Sequence, residues 1–350
     1  MSNVVVVLAQ PFLKVVFKGC CFVQKNKHNT YTISMGLKSI LKNGYNIFVK
    51  SSKIQKTFYC VFILFIIIMV AKGENAKEGF TESKKFTMVE GPAIYDTFYA
   101  NIYDELVFSK LKDDFEIGQI IEATHPTNES RILDIGSGTG HHVSNLTANG
   151  LKAIGVDSSP AMITKAKENY PDLEFKQGDV LNSMLFPSNS FTHITCLYFT
   201  VYYIKNKRQF FENCIHWLRP GGYLAVHLVD RDNFDPILPA GDPFGLVSPQ
   251  KYAKKRITST VVKFKGFDYN SNFEVDTDKD GSDIVNATLQ ETFKNKKDGK
   301  VRKNEHKFYM ATQTAILAIA KSVGFILIAK IDMLKCQYTN QYIYVLQRPT

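Results

Sequence analysis

The sequence predicts an α/β protein built on a doubly wound, mostly parallel sheet. Apolar strand-like runs and helical patterns alternate between residues 131 and 230, as they do where helices connect parallel strands. Three glycines at alternate positions follow the first of these strands. The chain ends in a helical pattern at 311–323 and two further strand-like runs at 326–333 and 341–346.

The first strand leads directly into the glycines. It contains Ile132, Leu133 and Ile135, and Gly136, Gly138 and Gly140 follow. A continuous apolar run is typical of a strand buried on both faces, and glycine allows the backbone to turn and to approach a ligand closely. A helix is predicted over 141–148. Free N–H groups of the turn would then lie at a helix N-terminus, where the polar end of a nucleotide-like ligand is held.

The residues around the glycines separate two families. A dinucleotide-binding fingerprint would need glycine at position 141, where this chain has His141, so an NAD-dependent oxidoreductase is disfavoured. Asp134 stands two residues before the first glycine. The motif Asp-x-Gly-x-Gly-x-Gly resembles the first motif of the class I S-adenosylmethionine-dependent methyltransferases.

Later landmarks follow in the order of that family. A strand over 152–157 ends in Asp157, 21 residues after Gly136, and Ser159 and Pro160 then open a helix as N-cap and first helical residue. The others are a strand at 173–177 before Gly178-Asp179-Val180, a strand at 191–197, a helix at 205–218, and Arg219-Pro220-Gly221-Gly222 before a fifth strand at 223–230. The resemblance covers residues 93–230. It implies a Rossmann-like seven-stranded sheet with a terminal antiparallel hairpin, and S-adenosylmethionine as cofactor.

The resemblance also implies roles for particular residues. Asp157 would accept both ribose hydroxyls, Gly136 and Gly138 would admit the methionine moiety, and Asp134 would order the turn or reach the ammonium group. Asp179 and Val180 would contact adenine. The full set of expected cofactor-binding residues is Asp134, Gly136, Ser137, Gly138, Gly140, Asp157, Ser158, Met162, Asp179, Val180 and Tyr198.

The sequence says less about the residues that would contact the methyl acceptor. Methyl transfer depends mainly on positioning, and a general base is needed only if the acceptor must lose a proton before it attacks. Candidates for that base are His141, His142, His227 and Asp230, and candidates for the substrate pocket are Tyr95, Tyr99, Tyr202 and Arg231. The tyrosines at 95, 99 and 103 share one helix face; they would close over the ligands or simply pack on the sheet. The segment at 196–199 lacks the Asn-Pro-Pro-Tyr signature of similar enzymes that methylate nucleobase amines.

Most of the net positive charge lies in the N-terminal segment. Residues 1–79 carry 11 lysines and two acidic residues, which account for +9 of the net charge of +10. The remainder is nearly neutral, so we expect a small-molecule acceptor and no nucleic acid partner.

The N-terminal part contains an uncharged run at 57–71, which spans roughly 22 Å as a helix. We expect this run to be a single-pass membrane anchor, with the catalytic domain in the cytosol. The alternative is a buried helix. The predicted organisation is a basic segment at 1–56, the anchor at 57–71, a linker at 72–90 and a methyltransferase domain at 91–350.

The stretch 231–310 predicts an antiparallel β insertion after the fifth strand. Strand-like runs at 257–264, 284–293 and 301–309 are separated by Asp-Gly turn signals. Residues 276–281 copy the first half of a calcium-binding loop, but position twelve would be Ala287 rather than glutamate, so no metal site is predicted. The insertion would wall in a substrate. In an alternative function, it would bind a partner and the domain would not be catalytic.

Overall fold

The computed structural model describes residues 86–239, 255–276 and 284–350, together with 23–25, 31–33, 49, 51–52, 55–57, 250 and 253. The chain divides into two units, Met1–Glu82 and Ser83–Thr350. In the first unit, β1 (Val23–Lys25) pairs antiparallel with β2 (Tyr31–Ile33). No helix among the described residues is long and apolar enough to cross a membrane. The expected anchor at 57–71 lies outside the described residues except for Thr57.

The second unit contains the predicted seven-stranded sheet. Its strands are β4 (Arg131–Ile135), β5 (Lys152–Asp157), β6 (Glu174–Gln177), β7 (Phe191–Cys196), β8 (Leu218–Val229), β13 (Ile326–Asp332) and β14 (Gln341–Gln347). They are ordered β13-β14-β8-β7-β4-β5-β6. Strands β4 to β8 pair in parallel, and β14 is antiparallel to both β8 and β13. The Rossmann-like sheet and its terminal antiparallel strands are therefore confirmed.

Seven α-helices accompany the strands in the part of the unit that the structure describes. They are α1 (Thr97–Val107), α2 (Lys110–Thr124), α3 (His141–Ala148), α4 (Pro160–Asn169), α5 (Thr200–Tyr203), α6 (Lys207–Trp217) and α7 (Gln313–Val323). Helix α4 begins as predicted, because the Ser159 hydroxyl accepts a hydrogen bond from the N–H of Met162 and Pro160 takes the first position.

The central strands are buried on both faces, which explains their apolar sequence. Ile132, Leu133 and Ile135 of β4 are at most 2% exposed. Because the carboxyl ends of parallel strands meet at one edge of the sheet, the register that pairs Ile135 with Val156 brings the glycine turn beside Asp157.

The predicted insertion forms a separate five-stranded sheet. It contains β3 (Phe86–Glu90), β9 (Ser259–Lys263), β10 (Phe267–Val275), β11 (Ile284–Asn295) and β12 (Val301–Ala311), in the order β3-β12-β11-β10-β9. Strands β9 to β12 are antiparallel neighbours, whereas β3 pairs in parallel with β12.

Two features of this sheet differ from the sequence prediction. The linker expected over 72–90 is wrong for its last five residues, because 86–90 is a strand that supplies the sheet edge. Strand β10 was missed because Asn270, Ser271 and Asn272 interrupt its apolar pattern. Only the alternate side chains Tyr269, Ser271 and Phe273 are buried, which is the period of a half-buried strand.

Tyr202 lies in the core of the seven-stranded sheet, and its predicted place in the substrate pocket is wrong. Its side chain is fully buried, and its hydroxyl accepts a hydrogen bond of 2.8 Å from the N–H of Val229. That bond satisfies the last backbone donor of β8, which explains a tyrosine at a core position.

We predict that Tyr202→Phe lowers the free energy of unfolding by about 1–3 kcal/mol, because it leaves the buried N–H of Val229 without a partner. Urea unfolding would measure this. Tyr344→Phe is the matched control, since its hydroxyl donates to the side chain of Gln313, which is half-buried, and it should lose less. Equal stability of Tyr202→Phe and wild type would contradict the assignment.

Candidate functional site

A cleft opens at the carboxyl edge of the seven-stranded sheet, where the family's cofactor is expected. One side is the glycine turn between β4 and α3, from Gly136 to Thr139. The opposite side is formed by the end of α1 and the first half of α2, from Tyr103 to Glu116. The lining is completed by Asp134, His141, His142, Leu197, Tyr198 and Thr200. The cleft is therefore built by consecutive strand–helix turns and by a helical pair that precedes the sheet in the sequence.

The glycines adopt the conformations that their spacing predicts. Gly136, Gly138 and Gly140 have φ angles of 70°, 52° and 94°, a region that favours glycine. A Cβ atom on Gly136 would lie 2.5 Å from the side chain of Thr200, and one on Gly140 would lie 2.7 Å from Phe175. At Gly138 the nearest side-chain atom, from Tyr103, would be 3.7 Å away. The turn is thus close-packed on either side and open at Gly138.

Four N–H groups of the turn have partners within the protein, and ligand binding by the turn stays a prediction. Those of Gly136 and Ser137 donate to the carbonyl of Val156 at 2.8 and 3.0 Å, and that of Gly140 donates to Ser137. The N–H of Gly138 donates to Asp157 Oδ2 at 3.0 Å. Three of these donors, on Gly136, Ser137 and Gly138, hold the turn against β5.

Asp157 connects three elements. Oδ2 accepts from Gly138, and Oδ1 accepts from the N–H of Ser159 at 2.8 Å. The Ser159 hydroxyl donates to the carbonyl of Tyr95 at 2.6 Å, which fixes the segment before α1. Burial raises the pKa of Asp157 and outweighs the backbone hydrogen bonds that oppose it. Gly136 and Asp157 therefore belong to one structural unit, as the resemblance requires.

Asp134 is a buried carboxylate at the floor of the cleft. Thr195 donates its hydroxyl to Oδ1 at 2.7 Å. Among the described residues, neither Asp134 Oδ2 nor the buried hydroxyl of Ser137 has a hydrogen-bond partner. Burial raises the pKa of Asp134 to about 6, although His142 opposes that shift. Two unpartnered polar atoms that face one cleft are typical of a site completed by a ligand.

A charged cluster lines the α2 side of the cleft. Lys112 contacts both carboxylate oxygens of Glu116 at 2.7 Å, and His142 Nε2 lies 3.1 Å from Glu116 and 3.4 Å from Asp113. Burial alone would raise the pKa of Glu116, but Lys112 and His142 lower it to about 2. Burial would lower the pKa of His142, but Glu116, Asp134 and Asp113 raise it. The cluster supplies a predominantly acidic wall with one buried lysine.

The sequence analysis did not find Lys112, Asp113 or Glu116. The available signal was the spacing of Lys112 and Glu116 at i and i+4 on one helix. That spacing is common on solvated helices, however, and here both side chains are at most 7% exposed.

Two of the four candidate bases line the cleft. His141 stacks on Phe108, and its Nε2 lies 3.0 Å from Asp104 Oδ2. His142 belongs to the charged cluster. His227 is fully buried, its Nδ1 donates to the carbonyl of Tyr198 at 2.7 Å, and burial lowers its pKa to about 4. Asp230 lies outside the cleft, where it accepts hydrogen bonds from Asn233 and Asp232.

The remaining expected cofactor residues divide into three groups. Tyr198 lines the cleft with φ of 53°, an uncommon conformation for a non-glycine residue. Ser158 and Asp179 are exposed and Val180 is half-buried, at the ends of β5 and β6 beyond this lining. Met162 is buried in a cluster that includes Tyr99 and Leu238, so its role is core packing.

Two further pocket candidates lie together and one lies apart. Tyr95 donates its hydroxyl to that of Tyr203 at 2.8 Å, and Tyr99 donates to Glu291 at 3.1 Å. Both contact the five-stranded sheet. Arg231 donates to the carbonyl of Met310 at 3.1 Å and joins β8 to β12, so its expected place in the pocket is not what the structure shows.

We predict that Asp134→Asn stabilises the ligand-free protein at pH 8, because it removes a buried charge. The wild-type carboxyl is neutral in the folded state below pH 6 but ionises in the unfolded chain from pH 4, so stability falls as pH rises through this window. The gain is up to about 3 kcal/mol, since a tenfold change in proton affinity corresponds to about 1.4 kcal/mol. Urea unfolding at pH 5 and pH 8 would measure it. Asp172→Asn, which changes an exposed carboxylate, is the control. An Asp134→Asn variant less stable than wild type at pH 8 would refute the prediction.

We predict that Gly136→Ala destabilises the fold by about 1–3 kcal/mol, because the new methyl group would overlap Thr200 and φ is positive. Gly118→Ala is the matched control. Gly118 is exposed in α2 with no atom within 4 Å of an added Cβ, so alanine should stabilise it by about 0.5–1 kcal/mol. Thermal unfolding would compare the two, and a neutral Gly136→Ala would contradict the packing.

Comparison with known proteins gives the same domain. Residues 132–222 match the family described as a methyltransferase domain. An N,N-dimethyltransferase of dTDP-4-amino-2,3,4,6-tetradeoxy-D-glucose from Saccharopolyspora spinosa is 29% identical over 147 residues, which are 40% of this chain and 58% of that protein. The phosphoethanolamine N-methyltransferase of Plasmodium falciparum (isolate 3D7) is 25% identical over 233 residues, covering 62% of this chain and 78% of that protein. The match thus spans little more than half of the first of these relatives.

A solved structure shares the fold. An S-adenosylmethionine-dependent methyltransferase from Clostridium acetobutylicum ATCC 824 superposes with a TM-score of 0.52 at 18% identity, over 72% of this chain and 98% of that one. At this identity the likeness shows the fold alone. The glycine turn, Asp134 and Asp157 all lie within the segment matched by the family. Residues 132–222 therefore resemble a methyltransferase domain, and the chain shares the Rossmann-like fold of a methyltransferase of known structure.

Proposed function

We propose that this protein is an enzyme that binds S-adenosylmethionine in the cleft and transfers its methyl group to a small-molecule acceptor. The observation that carries the proposal is the hydrogen bond from Gly138 to Asp157. It joins the glycine turn and the acidic strand end that the family uses for the two halves of this cofactor. The family match over 132–222 supports the same cofactor.

The residues present fit that cofactor. Asp134 Oδ2 and the Ser137 hydroxyl are polar atoms without partners among the described residues, and they face the cleft beside Gly138. The acidic wall from Asp113 and Glu116 suits the cationic ammonium and sulfonium groups, and Lys112 suits the amino acid carboxylate. Asp157 retains lone pairs for the ribose hydroxyls, because each oxygen accepts one hydrogen bond in the structure.

Catalysis in this arrangement is mainly positioning. The cofactor, when bound, supplies an activated methyl group on a sulfonium. The chain's own residues hold the methionine end against the glycine turn, and Tyr103 and Tyr198 wall the opening toward the five-stranded sheet. Alignment of the reacting groups is worth up to roughly 7–11 kcal/mol in the most favourable cases.

An amine is the acceptor chemistry that the relatives favour. The proteins from Saccharopolyspora spinosa and Plasmodium falciparum are both named as N-methyltransferases of small molecules. The near-neutral charge of residues 80–350 is consistent with such an acceptor. We further propose that residues 57–71 anchor the protein in a membrane with this domain in the cytosol, which extraction of membranes at high pH would test.

We predict that S-adenosylmethionine binds the full chain with one-to-one stoichiometry in isothermal titration calorimetry. Asp157→Ala should weaken binding by at least tenfold, because a hydrogen bond to a charged group contributes about 1.5–3 kcal/mol. Asp172→Ala, an exposed carboxylate, is the control. No binding by the wild type, or equal affinity of Asp157→Ala, would contradict the proposed function.

A further inference from the structure

A continuous chain of hydrogen bonds runs beside the cleft, between the two sheets. Tyr95 donates its hydroxyl to Tyr203 at 2.8 Å. The Tyr203 hydroxyl lies 2.7 Å from His306 Nδ1, and His306 Nε2 lies 2.7 Å from Glu291 Oε2. The four groups come from the segment before α1, from α5, and from the neighbouring strands β12 and β11. Tyr95, Tyr203 and His306 are more than 100 residues apart from one another. The pairing of β11 with β12 brings Glu291 close to His306.

The inner end of this chain is a buried carboxylate that stays ionised. Glu291 also accepts hydrogen bonds from Tyr269 at 2.8 Å, from Tyr99 at 3.1 Å and from Asn304 at 3.1 Å. Burial raises its pKa, but His306 and the hydrogen bonds from Asn304 and Tyr269 prevail, so the net pKa is lowered. An ionised Glu291 can only accept, and His306 must therefore donate from Nε2.

With His306 in its neutral form, that constraint fixes the direction of the bonds in the chain. With its proton on Nε2, neutral His306 has a lone pair on Nδ1 and accepts the proton of Tyr203. The Tyr203 oxygen then accepts from Tyr95, which is the direction in which that bond is made. The oxygen of Tyr95 is left with a lone pair for a further donor.

The outer end adjoins the cleft. His306 and Glu291 are at most 1% exposed, whereas Tyr95 and Tyr203 are partly exposed. The ring of Tyr95 lies 6.4 Å from that of Tyr103, and Tyr103 lines the cleft opposite Gly138. The backbone of Tyr95 is held by Ser159 next to Asp157. The chain thus leads from a fully buried histidine–carboxylate pair to the neighbourhood of the proposed cofactor.

We propose that Tyr95, Tyr203, His306 and Glu291 form a proton relay that deprotonates an ammonium-bearing acceptor before methyl transfer. This inference rests on the proposed function. Tyr95 is the catalytic residue that contacts the acceptor, and Tyr203, His306 and Glu291 are positioning residues that act through it. The acceptor class is a small aliphatic amine, which is protonated at neutral pH and cannot attack until it loses a proton.

The proton balance is complete without a further reactant. The acceptor ammonium gives a proton to the oxygen of Tyr95, the hydroxyl proton of Tyr95 passes to Tyr203, and that of Tyr203 passes to His306 Nδ1. His306 becomes an imidazolium paired with Glu291, and both tyrosines remain neutral throughout. The neutral amine attacks the methyl carbon as the carbon–sulfur bond breaks, and His306 returns its proton to solvent after the product leaves.

Three tyrosine rings and one carboxylate surround His306. Tyr95, Tyr99 and Tyr203 approach it from the α1 and α5 side, with ring centroids 5.7–6.1 Å away. Glu291 faces it from β11 with Tyr269 of β10 behind, and Asn304 lies on its own strand. Arg302, on the same face of that strand, is paired with Asp96 at 2.7 Å, whereas Lys303, Glu305 and Lys307 lie on its opposite face. The carboxylate is therefore the charge closest to the imidazole.

The tautomer can be tested without any acceptor. We expect two-bond ¹H–¹⁵N spectra of the full chain at pH 8 to show His306, assigned by its loss in His306→Asn, as a neutral ring protonated on Nε2. Tyr203→Phe should shift the Nδ1 resonance, and Tyr344→Phe should leave it unchanged. A His306 protonated on Nδ1, or already an imidazolium at pH 8, would overturn the relay.

The kinetic test separates the relay from the proposed function. Phosphoethanolamine and dTDP-4-amino-2,3,4,6-tetradeoxy-D-glucose are the acceptor probes, and S-adenosylhomocysteine release is the assay. Tyr95→Phe, Tyr203→Phe and His306→Asn should each lower kcat by about 10²–10⁴-fold while leaving the Kd for S-adenosylmethionine within twofold. The rate of the variants should rise with pH where wild type has levelled off, because they depend on amine that is already neutral.

Each failure has its own signature. Loss of cofactor binding in the wild type would refute the proposed function. Normal binding with wild-type rates and pH profiles in His306→Asn and Tyr203→Phe would refute the relay alone, and Tyr344→Phe controls for the loss of a hydroxyl elsewhere in the fold.

Discussion

The hydrogen bond between the Gly138 N–H and the Asp157 carboxylate is the constraint on which the site depends. It closes the turn after β4 onto the end of β5, and the second oxygen of Asp157 starts α4 through Ser159. Ser159 in turn holds the carbonyl of Tyr95. One carboxylate thus positions the glycine turn, a helix and the segment that leads into α1. Three N–H groups of the turn, on Gly136, Ser137 and Gly138, are used in this framework.

Burial of ionisable groups follows from that geometry. Asp134 and the group formed by Lys112, Glu116 and His142 lie where the cleft meets the core. Removing a charge from water costs several kcal/mol unless it is paired, and the orphan oxygen of Asp134 shows that the pairing is incomplete. A domain that retains such a group loses stability at neutral pH. A cationic ligand would restore the missing partner.

The five-stranded sheet contributes residues to the proposed proton relay as well as to the fold. Strands β11 and β12 bring Glu291 and His306 into direct contact, and the register places Asn304 beside them. α1 and α5, on the side of the seven-stranded sheet, supply the tyrosines that complete the network. The ionic pair needs this cover, because its carboxylate would otherwise be buried with too few donors.

The sequence by itself determined the seven-stranded sheet, the glycine turn and the antiparallel insertion. Those features rest on local signals: apolar runs buried on both faces, glycines with positive φ, and a Ser-Pro helix start at Ser159. Only the tertiary structure decided that Tyr202 is a core residue, that four N–H groups of the turn are bonded within the protein, and that 86–90 is a strand. It alone brought Glu291 and His306 to Tyr203 and Tyr95, because contacts across more than 100 positions are set by sheet register and packing, which leave no periodic trace in the chain.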